Sequence, residues 1–248
     1  MPNSSMKKRA LLEMSVETLD AAVAALRGGA DRVELCADLS VGGLTPSAEL
    51  MRQARAHVAV PIFAMIRPRG GDFNYSATEF HQMKLDIGLA KNVGMDGVVF
   101  GILTSQGGVD VERNAELVAA AKPLPTTFHR AFDELADLPA GLEEVIATGA
   151  TRVLTSGGAA CAEQGAAMIA RLLRQASNRI MILPGGGIRP GNLSRVARTA
   201  RDSEYHSGLS NLVRGPGGTC ERFEEGVRAL VRVLEEEARL LEPATRID

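Results

Sequence analysis

Gly28-Gly29-Ala30-Asp31-Arg32-Val33-Glu34-Leu35-Cys36 reads as a complete junction between a helix and a strand. Two glycines close a segment of helical periodicity, Ala30-Asp31 makes a short polar lead, and a strand-like run follows. The same punctuation recurs as Gly94-Met95-Asp96 before Gly97-Val98-Val99-Phe100-Gly101, and as Gly149-Ala150-Thr151 before Arg152-Val153-Leu154-Thr155. Outward from these, further strand-like runs stand at Ala10 to Glu13, Ile62 to Ile66, Pro125 to His129, Ile180 to Leu183 and Glu204 to His206, with helical periodicity between them. Pro46 and Pro190 suit a first helical position, and Ser76 with Glu79 forms a capping box. Eight strand-then-helix units without an Asn-Gly hairpin predict a parallel sheet closed into a barrel. An open doubly wound sheet would need a Gly-x-Gly-x-x-Gly turn after an early strand, and none follows the first or second.

The expected fold class is therefore α/β, a single-domain (β/α)8 TIM barrel over residues 10–248, behind a disordered N-terminal extension over 1–9. A chain of 248 residues with a net charge of −2 carries no electrostatic footprint for nucleic acid and none for an anionic membrane surface. Its apolar stretches fall far short of the ~20 residues that span a bilayer. The polar start Met1 to Arg9 lacks the apolar core of a secretory signal. Cys36, Cys161 and Cys220 are too few and too scattered for a disulfide framework, which points to the cytoplasm. The expected partner is a small molecule.

In such a barrel the loops at the C-terminal strand ends form the active face. The first strand is expected to end in Glu13, the second in Glu34 and Cys36, the third in Arg67, Arg69 and Asp72, and the fifth in His129, Arg130 and Asp133. Thr155-Ser156-Gly157-Gly158, Gly185-Gly186-Gly187 and His206-Ser207 close the sixth to eighth, while the fourth offers only backbone at Gly101. His129 is the acid/base candidate, because imidazole titrates nearest neutrality, with Glu13, Glu34 and Asp133 as carboxylate partners. Arg67 and Arg69 share parity, so if the strand continues across Pro68 both forks face one side and can grip a carboxylate or phosphate. The alternative is an internal ion pair with Asp72 that fastens the loop. Arg130, Ser156, His206 and the glycines Gly186 and Gly187, ahead of a helix start, complete the expected substrate contacts. No lysine stands at a strand's C-terminal end, so a Schiff-base aldolase has no nucleophile here. His-Glu-x-x-His, Cys-x-x-Cys and Walker sequences are absent. All three cysteines are expected on the active face, Cys161 and Cys220 near helix starts, though a joint site is disfavoured because the second strand lies across the barrel.

Val33-Glu34-Leu35-Cys36 with Gly42-Gly43-Leu44-Thr45-Pro46-Ser47, Arg67-Pro68-Arg69-Gly70-Gly71-Asp72-Phe73 with Tyr75, Thr127 to Asp133 and Val153 to Gly157 closely resemble the CutC proteins. The match runs from about Leu11 to beyond His206. The resemblance implies a cytoplasmic TIM barrel, a dimer or larger homo-oligomer, and a role in copper homeostasis with Cu(I) bound through cysteine. Family members often carry cysteine just after the first-strand glutamate, where this chain has Met14-Ser15-Val16, so Cys36 remains as the metal ligand, with Met14 as a second sulfur. The arginines, carboxylates and His129 support a second reading. It is a lyase, isomerase or hydrolase acting on a small anionic metabolite, with His129 and a glutamate as acid and base.

Overall fold

The computed structural model describes residues 9–240. All but Arg9 of the expected extension thus lies outside the described residues. Strands β1 (Leu11–Val16), β2 (Arg32–Leu35), β3 (Ile62–Met65), β4 (Gly97–Phe100), β5 (Thr126–Phe128), β6 (Arg152–Thr155), β7 (Met181–Pro184) and β8 (Glu204–Ser207) each lead into a helical segment. The helices are α1 (Leu19–Gly28), α2 (Ala48–His57), α3 (Ala77–Val93), α4 (Val111–Ala121), α5 (Leu138–Ala147), α6 (Ala166–Ala176), α7 (Pro190–Ala200), a short α8 (Asn211–Arg214) and the long α9 (Cys220–Leu240). Every strand pairing is parallel, in the order β7-β6-β5-β4-β3-β2-β1-β8. The barrel is nearly closed, its seam falling between β7 and β8. The two lie close there, since a Cβ built on Gly185 would come within 3.1 Å of the His206 Cβ.

Local sequence explains the element ends. Thr18 and Ser47 cap α1 and α2 by accepting from Ala21 and Leu50 amides, and the reciprocal Ser76–Glu79 box opens α3. Gly29 (φ 94°) and Gly94 (φ 84°) close α1 and α3 in the left-handed region, where a Cβ is disfavoured. Pro190 occupies the first turn of α7 as expected. Pro46 does not begin α2: the Ser47 hydroxyl takes the cap, so the proline precedes it. A second correction concerns β1, which continues to Val16. Glu13 is therefore a mid-strand residue, paired in register with Arg32 on β2 and His206 on β8.

Strand alternation sorts the side chains into two environments. Leu12, Met14, Val16, Val33, Leu35, Ile62, Ala64, Val98, Phe100, Val153, Ile182 and Tyr205 join the large core between barrel and helices. Burying each large side chain there contributes about 1.5–3 kcal/mol. The opposite parity fills the barrel interior, with Cys36, Phe63, Met65 and Val99 forming a small separate apolar cluster. Glu13, Arg32, Glu34, Arg152, Glu204 and His206, also buried, make much of that interior ionic.

Candidate active site

At the N-terminal end of the interior, two arginines and two glutamates are interlocked. Arg32 donates through Nε to Glu13 and through Nη2 to Glu204 at 2.7 Å, and Arg152 donates through Nε to the same Glu204 oxygen at 2.8 Å. The Phe63 ring lies against both guanidiniums, 4.9 Å from Arg32 and 5.3 Å from Arg152. Gly97 makes room for it, because a Cβ there would approach the ring to 2.6 Å. Arg32, Arg152 and Glu204 are neighbours of the site that the sequence presents only as the first residues of strands. Their signal is parity: Arg32 stands two before Glu34, and Glu204 two before His206, hence on the same inward face.

One step toward the mouth, the free oxygen of Glu13 meets His206 Nδ1 at 2.7 Å. His206 Nε2 then lies 3.9 Å from Glu34 Oε2, beyond hydrogen-bond reach, and Glu34 Oε1 has no partner. Burial works to raise the Glu13 pKa, but Arg32 and His206 together outweigh it and hold the carboxyl well below its ordinary range. Burial likewise disfavours the His206 cation, yet the carboxylates of Glu34 and Glu13 prevail and raise its pKa. Glu34 is pushed up, chiefly by burial, with Glu13 adding to the push while His206 opposes it. The Cys36 thiol donates to Glu34 Oε2 at 3.6 Å, and burial followed by that carboxylate raises its pKa well above the ordinary thiol value.

Glu34 and His206 form the floor of a cavity of about 850 Å³ at the C-terminal strand ends. Glu34, Arg67, His129, Arg130, Asp133, Gly186, Gly187 and His206 line it, together with Ser15, Met65 and Phe73. Glu13 does not; it is 1% exposed and sits beneath His206. His129, just past β5, accepts from the Ala131 amide through Nδ1, which fixes the neutral tautomer with its hydrogen on Nε2. Burial, followed by the nearby Arg67 charge, lowers its pKa to about 3. Of the two imidazoles, His206, expected from sequence only as a substrate contact, is the one whose surroundings favour the cation.

The two arginines of the third loop part company because β3 ends at Met65 and parity does not carry across Pro68. Arg67 turns in and is 4% exposed. It donates to the carbonyls of Val41 at 2.6 Å and Gly71 at 2.8 Å, and its guanidinium lies 4.7 Å from the Phe73 ring. Arg69 turns away from the cavity and binds Asp72 at 2.9 Å and Glu79 at 2.7 Å, which is the loop-fastening alternative. Asp133 accepts from Arg130 Nε at 2.8 Å, Thr155 Oγ1 at 2.5 Å and the Ser156 and Gly158 amides. It braces the fifth and sixth loops. Arg130 also donates to Ser156 Oγ at 3.0 Å, and its side chain remains 45% exposed toward the cavity. Gly186 (φ 92°) and Gly187 (φ 69°) face it, and a Cβ on Gly186 would come within 3.1 Å of the Arg130 Cζ.

Among the described residues, one group of three His, Cys, Asp or Glu side chains lies close enough to share an ion, Glu13, Glu34 and His206, with ligand atoms within 4.8 Å of one another. No cysteine belongs to it. Both Glu13 oxygens are already engaged, by Arg32 and by the imidazole. Met14 points into the outer core and is not a neighbour of Cys36; the sulfur in the Cys36 cluster is Met65.

Eight parallel strands with an ionic interior and a polar cavity at their C-terminal ends define a TIM-barrel protein built around one deep site. The chain belongs to the CutC family, whose model matches residues 10–211. It is 45% identical over 235 residues to a human copper homeostasis protein cutC homolog, covering 90% of this chain and 86% of that protein. A CutC family protein of Chromobacterium violaceum is also 45% identical, over 87% of this chain and 86% of its own. The crystal structure of the putative copper homeostasis protein CutC from Streptococcus agalactiae superposes with a TM-score of 0.76 at 33% identity, covering 80% of this chain and 98% of that one.

Proposed function

We propose that the chain is an enzyme acting on a small anionic metabolite, with Glu34 and His206 as its acid/base pair. One observation carries this: a buried carboxylate with an unpartnered oxygen stands beside an imidazole whose far nitrogen is fixed by a second carboxylate, on the floor of a cavity. A glutamate with a raised pKa is a better-matched base than an ordinary one, and an imidazolium is a competent acid. Neutral His129 offers a donor beside them, Arg67 adds positive potential, and the exposed guanidinium of Arg130 beside Gly186-Gly187 receives the anionic group. Proton removal and return, as in a lyase or isomerase, is the reaction class this floor suits.

The test is a thermal-shift screen of small carboxylates and phosphates, followed by deuterium exchange into whatever binds. Arg130→Ala is expected to weaken the bound anion about tenfold or more. Glu34→Gln is expected to slow exchange about 10²–10⁴-fold while binding persists. A screen without an anionic ligand, or Glu34→Gln exchanging at the parent rate, defeats the reading.

Copper as cargo is a second reading, favoured by the sulfurs of Cys36 and Met65 in one buried cluster. Cu(I) held there would need the Cys36 thiolate, formed beside Glu34 against a raised pKa, so weak and strongly pH-dependent binding is expected. A Cu(I) competitor titration in which Cys36→Ser binds as well as the parent removes it. The family resemblance also supports a cytoplasmic location and a dimer or larger assembly, which sedimentation of the full chain would test.

A further inference from the structure

The cavity floor pairs one fixed hydrogen-bond donor with one fixed acceptor across a gap neither can close. His206 Nδ1 is taken by Glu13, and Glu13 is held by Arg32, itself held by Glu204 and lying against Phe63. The ring therefore cannot swing, and Nε2 remains turned toward Glu34 at 3.9 Å from Oε2. With His206 protonated, as its two carboxylate neighbours favour, and Glu34 ionised, an atom bridging that gap accepts from the imidazolium N–H and donates to the carboxylate. A hydroxyl, of water or of a ligand that displaces it, does both; a carbonyl, a carboxylate oxygen or a methylene cannot. Glu34 Oε1, buried and without a partner, is a second acceptor on the same residue, placed for a neighbouring hydroxyl. Two further donors around the cavity, His129 Nε2 and Arg67 Nε, also lack partners. Unsatisfied polar atoms this deep are costly unless water or a ligand satisfies them.

We infer that the substrate is a polyhydroxylated small anion, of the sugar-acid or sugar-phosphate class, with one hydroxyl seated between His206 Nε2 and Glu34 and its anionic end at Arg130. The inference rests on the anionic-metabolite reading above and narrows it. Arg32 and Glu13 are then positioning residues, acting on the substrate through His206. A cavity of about 850 Å³ holds such a molecule with room to spare.

Matched pairs of ligands test it. Aldonates and aldose phosphates of three to six carbons are titrated calorimetrically against the straight-chain alkyl carboxylates and alkyl phosphates of the same length. The hydroxylated member of at least one pair is expected to bind at least about tenfold more tightly, because each hydrogen bond to a charged group carries one to two factors of ten. Glu34→Gln is expected to erase that preference, whereas Arg130→Ala weakens both members of the pair alike and preserves it. In 15N spectra of the ligand-free protein, the His206 Nδ1 signal is expected to move in Arg32→Met, which checks the positioning claim without any ligand. Alkyl anions that bind as well as their hydroxylated partners, or a preference that survives Glu34→Gln, overturn the inference while leaving the anion reading intact. If no anion of either set binds, both fall together.

Discussion

His129 and His206 show how far a residue's neighbours decide its chemistry. Both imidazoles stand at a strand end and both are buried, yet one faces Arg67 and the other two carboxylates. The consequence is measurable through stability. An unfolded histidine titrates near about 6.5. His129, held at about 3 in the folded protein, stays neutral while the unfolded chain gains a proton. Its contribution is thus fully present above the unfolded value and is lost as pH falls from about 6.5 toward about 3. Relative to His129→Gln, the parent is expected to lose urea-unfolding stability across that acid window and to run parallel to the variant above it. His206 has the opposite sign: its raised pKa gives stability present below the unfolded value and lost as pH rises through the folded one. A parent and a His129→Gln variant that track each other down to about pH 4 would contradict the burial of that ring. From sequence, both histidines are visible as active-face groups. Their charge states are not, because Arg67 and Glu13 reach them from other strands and loops rather than along the chain.

Among the elements, β4 illustrates what an apparently empty strand contributes. Its sequence offers only backbone, and the structure explains why this matters: Gly97 leaves space for the Phe63 ring and Gly101 for His129, whose Nδ1 would lie 2.7 Å from an added Cβ. Gly97→Ala is expected to cost about 1–3 kcal/mol by overpacking, measured by chemical unfolding, and to displace Phe63 from between Arg32 and Arg152. A neutral or stabilising Gly97→Ala would mean that the ring has slack. The capping box of α3 is a milder test at the same scale, Ser76→Ala being expected to cost about 1 kcal/mol. Helix caps and glycine stops are legible because their chemistry is local to the chain. The end of β1 is not: Met14-Ser15-Val16 carries no breaker, and only the pairing of Ser15 and Val16 with Glu34 and Leu35 shows that the strand continues. The divergence of Arg67 and Arg69 is hidden for a related reason, since it depends on carbonyls of Val41 and Gly71 that the sequence places in loops without fixing their direction.

At the scale of the whole molecule, the barrel is legible from its repeated strand-helix units, but its ionic interior is not, because it joins β1, β2, β6 and β8 across the centre. Two arginines and two glutamates balance there, and Glu204 is shared between Arg32 at 2.7 Å and Arg152 at 2.8 Å. Taking such charges out of water is costly, and each is tolerated because its counter-charge is already in place. Removing a single member therefore costs more than removing a matched pair. Glu204→Gln leaves Arg152 buried with little beyond the Thr127 hydroxyl at 3.3 Å, and is expected to destabilise by about 3 kcal/mol or more. Arg152→Met costs less, since Glu204 keeps Arg32. When Glu204→Gln and Arg152→Met are combined, a neutral amide faces a thioether, and Arg32 retains Glu13. Urea unfolding should then find the double variant more stable than Glu204→Gln alone, with a coupling of at least about 1 kcal/mol. Additive losses would mean that Arg152 finds water or another partner in the single variant. The two ends of the interior would then be independent, and the alignment of His206 would owe nothing to the far side of the barrel.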